Sequence, residues 1–193
     1  MIRSATIRDV PELAQIHRQV LKGEFLVRLG DEFLQTLYRD FLLQKQTIIY
    51  LMEENEIEGF IFGSLDFPVL LRAVLSSRFF RYLLLVAKQG LRSPRLIVEG
   101  ASTLLFSFLS EAQSTKAELA VIAVKQEQQR RNIGSQLLKV FEASLKKQGI
   151  DFYQVSCTQA NRKANHFYRK HSFEKSGEFS LYFKRWNRYV KHL

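Results

Sequence analysis

The segment ELAVIAVKQEQQRRNIGSQLLKVFE, from Glu118 to Glu142, joins an apolar strand to an amphipathic helix through a polar turn. The first turn of a helix leaves backbone N–H groups unpaired and carries partial positive charge, and a preceding loop adds further donors. Gly134 allows a ligand to come close to the backbone, and Arg130 and Arg131 add positive charge. The segment therefore predicts a diphosphate site, with an ordinary strand–loop–helix as the alternative.

Strands and helices alternate through the C-terminal part of the chain. A strand over Glu118–Val124 is followed by a helix over 132–148, a strand over 151–157 and a helix over Arg162–Lys170. One or two strands follow at 173–185. This alternation predicts an α/β sheet.

The N-terminal part supplies further elements of the same kind. Alternating residues 2–8 predict a strand, and a helix is expected to run to about residue 22. Asp31 is the expected cap of a second helix that ends near residue 45, and residues 47–66 read as two strands joined by a polar turn.

Composition limits the class of protein. The chain has 193 residues, 46% of them hydrophobic, which predicts a single domain over 1–193. One cysteine, Cys157, and four scattered histidines predict no disulfide and no metal site. The polar N-terminus and the absence of a long uncharged run favour a cytoplasmic protein. A net charge of +10 indicates an anionic ligand or surface, although no nucleic-acid motif is present.

Residues 67–115 have a different pattern and are interpreted as a helical insertion. No acidic residue lies between Asp66 and Glu99, and residues 75–92 predict a basic amphipathic helix. Its expected apolar face contains Leu75, Phe79, Tyr82, Leu83 and Val86, and the opposite face contains Arg78, Arg81, Lys88 and Arg92. A second helix or buried segment is expected over 100–113. The basic helix suits a peripheral membrane contact, a nucleotide diphosphate, a lipid-linked sugar or a solvated lid.

Two segments resemble motifs of the GNAT superfamily of N-acetyltransferases. QQRRNIGSQLL resembles motif A, written Q/R-x-x-G-x-G/A, with Gln129 first, Asn132 at a usual glycine and Gly134 last. Asparagine tolerates a left-handed backbone better than most residues. The resemblance implies a mixed, mostly antiparallel sheet with a splayed central parallel pair and helices on both faces.

The second segment is NRKANHFYRKHSF, which resembles N-x-x-A-x-x-x-Y-x-x-x-G-F. Its matching positions are Asn161, Ala164, Tyr168 and Phe173, and Ser172 replaces the usual glycine. The resemblance implies acetyl-CoA as cosubstrate and no metal. The residues implied to contact acetyl-CoA are Ile122, Ala123, Val124, Gln129, Arg130, Arg131, Asn132, Ile133, Gly134, Ser135, Asn161 and Tyr168.

The resemblance also implies roles in catalysis. The reaction is attack of an amine on a thioester, and Tyr168 is expected to donate to the leaving thiolate. Glu118 is the candidate base, because strand alternation places it on one face with Ala120, Ile122 and Val124. Other acids within possible reach are Glu24, Asp31 and Asp66. Cys157 is interpreted as a small buried residue rather than an acyl carrier, and His171 as a helix cap rather than a proton shuttle.

The predicted function is acetyl transfer to a primary amine, with an amino sugar preferred among small acceptors. One alternative is a protein N-terminal or lysine acetyltransferase, for which an open acidic groove is expected. Another is a non-catalytic CoA-binding module that uses the basic helix to bind a membrane or partner. An oligomer is compatible with each of these.

Overall fold

A computed structural model describes residues 1–90, 95–96, 98–100 and 117–193. These residues form strands β1 (Ile2–Ser4), β2 (Thr47–Glu53), β3 (Ile57–Ser64), β4 (Glu118–Val124), β5 (Phe152–Thr158), β6 (Glu174–Leu181) and β7 (Lys184–His192). They also form helices α1 (Val10–Val20), α2 (Phe25–Arg28), α3 (Asp31–Leu42), α4 (Phe67–Ser77), α5 (Phe79–Gly90), α6 (Ile133–Lys147) and α7 (Arg162–Lys170). The order of elements agrees with the prediction outside residues 67–115, except that α2 was not predicted and the last strand ends at His192 rather than near residue 185.

The strands form one mixed sheet with the order β1-β2-β3-β4-β5-β7-β6. Every neighbouring pair is antiparallel except β4 and β5, which are parallel. That pair is held only at Glu118–Gln154 and Leu119–Val155, after which the strands separate. The predicted splayed parallel pair is therefore confirmed.

Helices cover both faces of the sheet, and each face has its own apolar cluster. The first cluster joins α1 and α3 to α4, α5 and one face of β3, and it includes Leu34, Phe60 and Phe62. The second joins α6 and α7 to the other face, and it includes Leu137 and Phe141. Burial of these apolar side chains is the main source of the stability of the fold, because each Å² of apolar surface removed from water contributes about 25 cal/mol.

A bulge in β4 changes which side chains share a face. Gly63 pairs with Leu119 but Phe62 pairs with Val121, so Ala120 is an additional residue on β4. Ala120, Val121 and Ala123 pack on the first cluster, whereas Leu119, Ile122 and Val124 pack on the second. The expectation that Glu118, Ala120, Ile122 and Val124 share one face is wrong, because the bulge interrupts the alternation.

The region predicted as one basic helix over 75–92 is two helices. α4 ends at Ser77, α5 begins at Phe79, and Arg78 between them has a non-helical backbone. The basic residues do not form a free face, since Arg78, Arg81 and Lys88 contact Asp40, Thr36 and Glu32 of α3. Residues 91–94, 97 and 101–116 are outside the described residues, and with them most of the second predicted helix. Among the residues that are described, no helix combines the length and apolarity needed to cross a membrane.

Candidate active site

The turn before α6 presents a row of free backbone donors. The N–H groups of Arg130 to Ser135 donate to no acceptor among the described residues, and the first bond of the helix is that of Gln136 N–H to Asn132 O. Gln129 Nε2 folds back onto Val124 O at 3.2 Å and ties the turn to the end of β4. These unpaired N–H groups, at the positive end of a 15-residue helix, suit the oxygens of a diphosphate.

Left-handed backbone shapes this turn. Arg130 has φ 68° and Asn132 has φ 63°, which are positions where glycine is usually favoured. Ser172, which also stands at a usual glycine, has φ 63°. Both departures from the motifs therefore keep the backbone conformation that glycine would adopt.

A side-chain contact fixes the start of α6 against the end of α7. His171 Nδ1 lies 2.9 Å from Phe167 O, which can only accept, so this nitrogen carries the proton when the ring is neutral. His171 Nε2 then accepts from the Ser135 hydroxyl at 2.9 Å. The contact with Phe167 O agrees with the predicted role of His171 as a helix cap.

One cleft of about 1660 Å³ runs from this turn, through the gap between β4 and β5, to α4 and α5. From Ala120 to Val124, β4 has no pairing partner on the β5 side among the described residues. The gap therefore leaves strand backbone available to an extended ligand. The far end of the cleft is lined mainly by apolar side chains, including Phe25, Phe33, Phe67, Leu71, Leu75 and Tyr82.

Tyr168 lines the cleft from the α6 and α7 side of the sheet. Its ring is buried in the second cluster against Phe173 and Tyr189, and its hydroxyl has no hydrogen bond to a described residue. Burial, together with the nearby Cys157, raises the pKa of Tyr168 above that of a free phenol. The phenol therefore stays protonated and available as a hydrogen-bond donor at neutral pH.

Glu118 lies in the cleft at the point where β4 and β5 separate. Burial raises the pKa of its carboxyl from 4.5 to about 7, although Gln154 and Arg188 oppose the shift. Gln154 Nε2 donates to Glu118 Oε2 at 2.9 Å. Such a carboxylate is matched to accepting a proton near neutral pH.

The other three candidate acids take part in ion pairs or in a helix cap. Asp31 is half-exposed, pairs with Arg18 at 2.6 Å and does not line the cleft. It is the first residue of α3 and gives no side-chain cap, contrary to expectation. Glu24 and Asp66 do line the cleft, but Glu24 pairs with Lys184 at 3.3 Å and Asp66 caps α4 through Val69 N.

Most of the residues predicted to bind the cosubstrate line this cleft. They are Ile122, Val124, Gln129, Arg130, Asn132, Ile133, Gly134, Ser135, Asn161 and Tyr168. Asn161 also caps α7, because its Oδ1 accepts from Ala164 N at 3.0 Å. Ala123 and Arg131 do not line the cleft, because Ala123 is buried in the first cluster and the Arg131 guanidinium donates to Oε1 of Gln128, a cleft residue, at 2.8 Å.

Sequence reasoning missed polar residues at both ends of the cleft. Gln154 and Arg188 stand beside Glu118, and Arg188 Nε is buried without a hydrogen-bond partner among the described residues. Lys163 and Lys170 of α7 line the other end. The positive charge of α7 was a usable signal, whereas Gln154 and Arg188 depend on strand registers that a single sequence does not reveal.

Two other predictions concern Cys157 and metals. Cys157 is buried on β5, and burial raises the pKa of its thiol to about 11, so the thiol stays protonated at neutral pH. That state does not suit an acyl carrier.

Within the described part of the chain, no cluster of His, Cys, Asp or Glu has the composition of a metal site.

Comparison with known proteins identifies the family. Residues 15–173 match the acetyltransferase (GNAT) family. No curated protein matches the chain. An acetyltransferase from Thermus thermophilus is similar in structure, with 14% identity, a TM-score of 0.62, and coverage of 100% of this chain and 96% of the other.

Two further solved structures are similar over the whole chain. The ribosomal-protein-S18-alanine N-acetyltransferase of Escherichia coli has 12% identity and a TM-score of 0.63, covering 100% of this chain and 92% of its own. PaiA N-acetyltransferase of Thermoplasma acidophilum, solved in complex with coenzyme A, has 16% identity and a TM-score of 0.62, covering 100% and 98%. The family match spans most of the chain and agrees with the splayed sheet, so the protein is a member of the GNAT acetyltransferase family.

Proposed function

We propose that the protein is an acetyl-CoA-dependent N-acetyltransferase that acts on the primary amine of a small acceptor. One observation carries this proposal: a single cleft joins the free N–H groups at the start of α6 to the Glu118 carboxylate. A diphosphate fits the end of the cleft at the start of α6, and an amine fits the end beside Glu118.

The backbone groups from Arg130 to Ser135 would hold the diphosphate of acetyl-CoA, and Lys163 and Lys170 would add positive charge. The unpaired edge of β4 near Ile122 would hold the pantetheine arm. The bound thioester supplies the acyl group that the amine attacks.

Glu118 is the proposed base. Most primary amines are protonated at neutral pH, because the pKa of an alkylammonium is about 10. A carboxylate whose pKa is raised to about 7 is a stronger base than an ordinary glutamate and accepts the amine proton at a smaller energetic cost. Gln154 orients the carboxylate by donating to one oxygen and leaves the other oxygen for the amine.

Tyr168 is proposed to donate a hydrogen bond to the departing thiolate. Its raised pKa makes full proton transfer to a thiolate unfavourable, since thiols ionise at a pKa of about 8.5. A hydrogen bond stabilises the thiolate without that transfer. The thiolate then takes its proton from water.

The far end of the cleft favours a small amine with an apolar or aromatic body. Its walls are mainly apolar, and its acids are few among the described residues, which does not suit a basic peptide. An amino-sugar acceptor remains a prediction of the sequence alone. The non-catalytic alternative is less favoured, because Asn132 and Ser172 keep the backbone that the motifs need.

A thiol-release assay with acetyl-CoA and a panel of primary amines tests the proposal. Glu118→Gln should lower the rate of release by about 10²-fold or more, whereas Glu174→Gln, at an exposed glutamate on β6, should leave it unchanged. Calorimetry with coenzyme A should show binding to both variants. Absence of coenzyme A binding to the wild-type protein would overturn the proposal.

A further inference from the structure

Four large apolar side chains stand in solvent on α5. Phe79, Phe80, Leu83 and Leu84, here named the apolar strip, are 52%, 77%, 51% and 70% exposed. Scattered exposed apolar residues are ordinary, but a contiguous group of this kind marks an interaction surface.

Helical geometry places the apolar strip between the cleft on one side of α5 and two basic residues on the other. Residues advance by about 100° around a helix, so the strip covers one side of α5. Arg81 and Lys88 follow on one border. On the other border, Tyr82 and Val86 line the cleft, together with Phe79 and Leu83 of the strip itself.

The segment that carries the apolar strip is basic, although two of its cations face acids of α3. Residues 67–90 contain Arg72, Arg78, Arg81 and Lys88 but no acidic residue. Arg78 faces the buried Asp40 and Lys88 faces the exposed Glu32, each at 3.5 Å, whereas Arg81 contacts the Thr36 hydroxyl and has no acidic partner among the described residues. The chain as a whole carries a net charge of +10.

These charges discriminate between occupants of the apolar strip. A second copy packed through the same strip would bring like cations together, which is unfavourable. An anionic bilayer satisfies both features, since apolar side chains enter the acyl boundary while Lys and Arg meet the headgroups. Each basic residue near such a surface strengthens binding several-fold.

We propose that the apolar strip of α5, bordered by Arg81 and Lys88, docks on an anionic membrane surface. The docking is peripheral and reversible. It presents the apolar end of the cleft to the lipid–water boundary, because Phe79 and Leu83 belong both to the strip and to the cleft wall.

Vesicle sedimentation of the full chain tests this proposal. Vesicles of phosphatidylcholine with phosphatidylglycerol are compared with vesicles of phosphatidylcholine alone. The test variant is Phe80→Ser/Leu84→Ser, because these two residues of the strip do not line the cleft. The matched control is Ile7→Ser/Leu43→Ser, which removes two exposed apolar side chains elsewhere.

The wild-type protein and the control should sediment with the anionic vesicles, and the test variant should bind roughly tenfold more weakly. High salt should reduce the binding of all three proteins. Equal sedimentation of wild type and test variant would overturn the proposal, as would equal binding to neutral vesicles. Concentration-dependent dimers in analytical ultracentrifugation that the test variant loses would assign the strip to a second copy instead. Coenzyme A binding, measured in parallel, should be the same in all three proteins, so that failure here is distinct from failure of the proposed function.

Discussion

Gln154 Nε2 donates a 2.9 Å hydrogen bond to Glu118 Oε2 across the parallel strands β4 and β5. These two residues are paired in the short stretch where the strands still touch, and the gap opens immediately after it. The contact therefore fixes a carboxylate of raised pKa at the point where an acyl group and an amine would meet.

We predict that Glu118→Gln lowers kcat by about 10²-fold or more, the range expected for loss of a general base. The wild-type kcat should rise as pH increases through about 7, where the carboxylate forms, and this rise should be absent from the pH–rate profile of the variant. Initial rates of thiol release across neutral pH measure both effects. A variant whose kcat still rises with pH through about 7 would assign the role of base to another group.

The same substitution should affect stability in the opposite sense. The folded pKa of Glu118 is about 7 against 4.5 for a free glutamate, so its stabilising contribution is complete below 4.5 and is lost as pH rises through 7. Glu118→Gln should therefore gain stability relative to the wild type at alkaline pH, on the order of 2 kcal/mol. Thermal unfolding of both proteins at acidic and alkaline pH measures the difference between their stabilities, which should increase with pH.

For Tyr168→Phe, we expect a fall in kcat of about tenfold or more with little change in KM, because the hydroxyl acts on the leaving group. The unfolding midpoint should not decrease, since the hydroxyl has no hydrogen bond to a described residue. Tyr50→Phe, on β2 outside the cleft, is the control. A loss of stability without loss of kcat would assign Tyr168 a packing role.

Arg130→Ala should weaken coenzyme A binding several-fold, because Arg130 is exposed and lines the diphosphate end of the cleft. The effect of Arg131→Ala should be smaller, since Arg131 does not line the cleft and its guanidinium is held by the side chain of Gln128. Calorimetry at low and high salt provides the comparison, and the difference between the variants should shrink as salt screens the charge. Equal losses for the two arginines would contradict this assignment.

Ser172→Gly should raise stability by up to about 1 kcal/mol, because a left-handed backbone is strained for a non-glycine residue. Ser172 has φ 63°. Ser144→Gly, inside α6, should destabilise by a similar amount, since glycine weakens a helix interior. Chemical denaturation of both variants measures the two opposite effects. Destabilisation by Ser172→Gly would show that the hydroxyl has a contact worth more than the strain.

The sequence predicted the parts of the fold that depend on local pattern. The bounds of β4 and α7 are as expected, and Gln129, Gly134 and Tyr168, which the two motifs single out, all line one cleft. Alternation, helix periodicity and turn chemistry act over a few residues, so one sequence is enough to read them.

The errors concern features that depend on distant residues. The bulge at Ala120 is set by pairing with β3, and alternation along β4 does not reveal it. Arg78 interrupts the predicted basic helix where it faces Asp40 of α3, a partner far away in the chain. Gln154 and Arg188 reach Glu118 only through the registers of β5 and β7.

The extra residue at Ala120 has a consequence for how the proposed base and the proposed hydrogen-bond donor are arranged. Glu118 faces the α1 and α3 side of the sheet with Gln154, whereas Tyr168 belongs to the cluster under α6. In the proposed reaction, the amine would therefore be contacted from one side of the sheet and the departing sulfur from the other, within the same cleft. Glu118 would then hold the amine proton on the side of the sheet away from Tyr168, and we expect a substitution at either residue to leave the surroundings of the other unchanged.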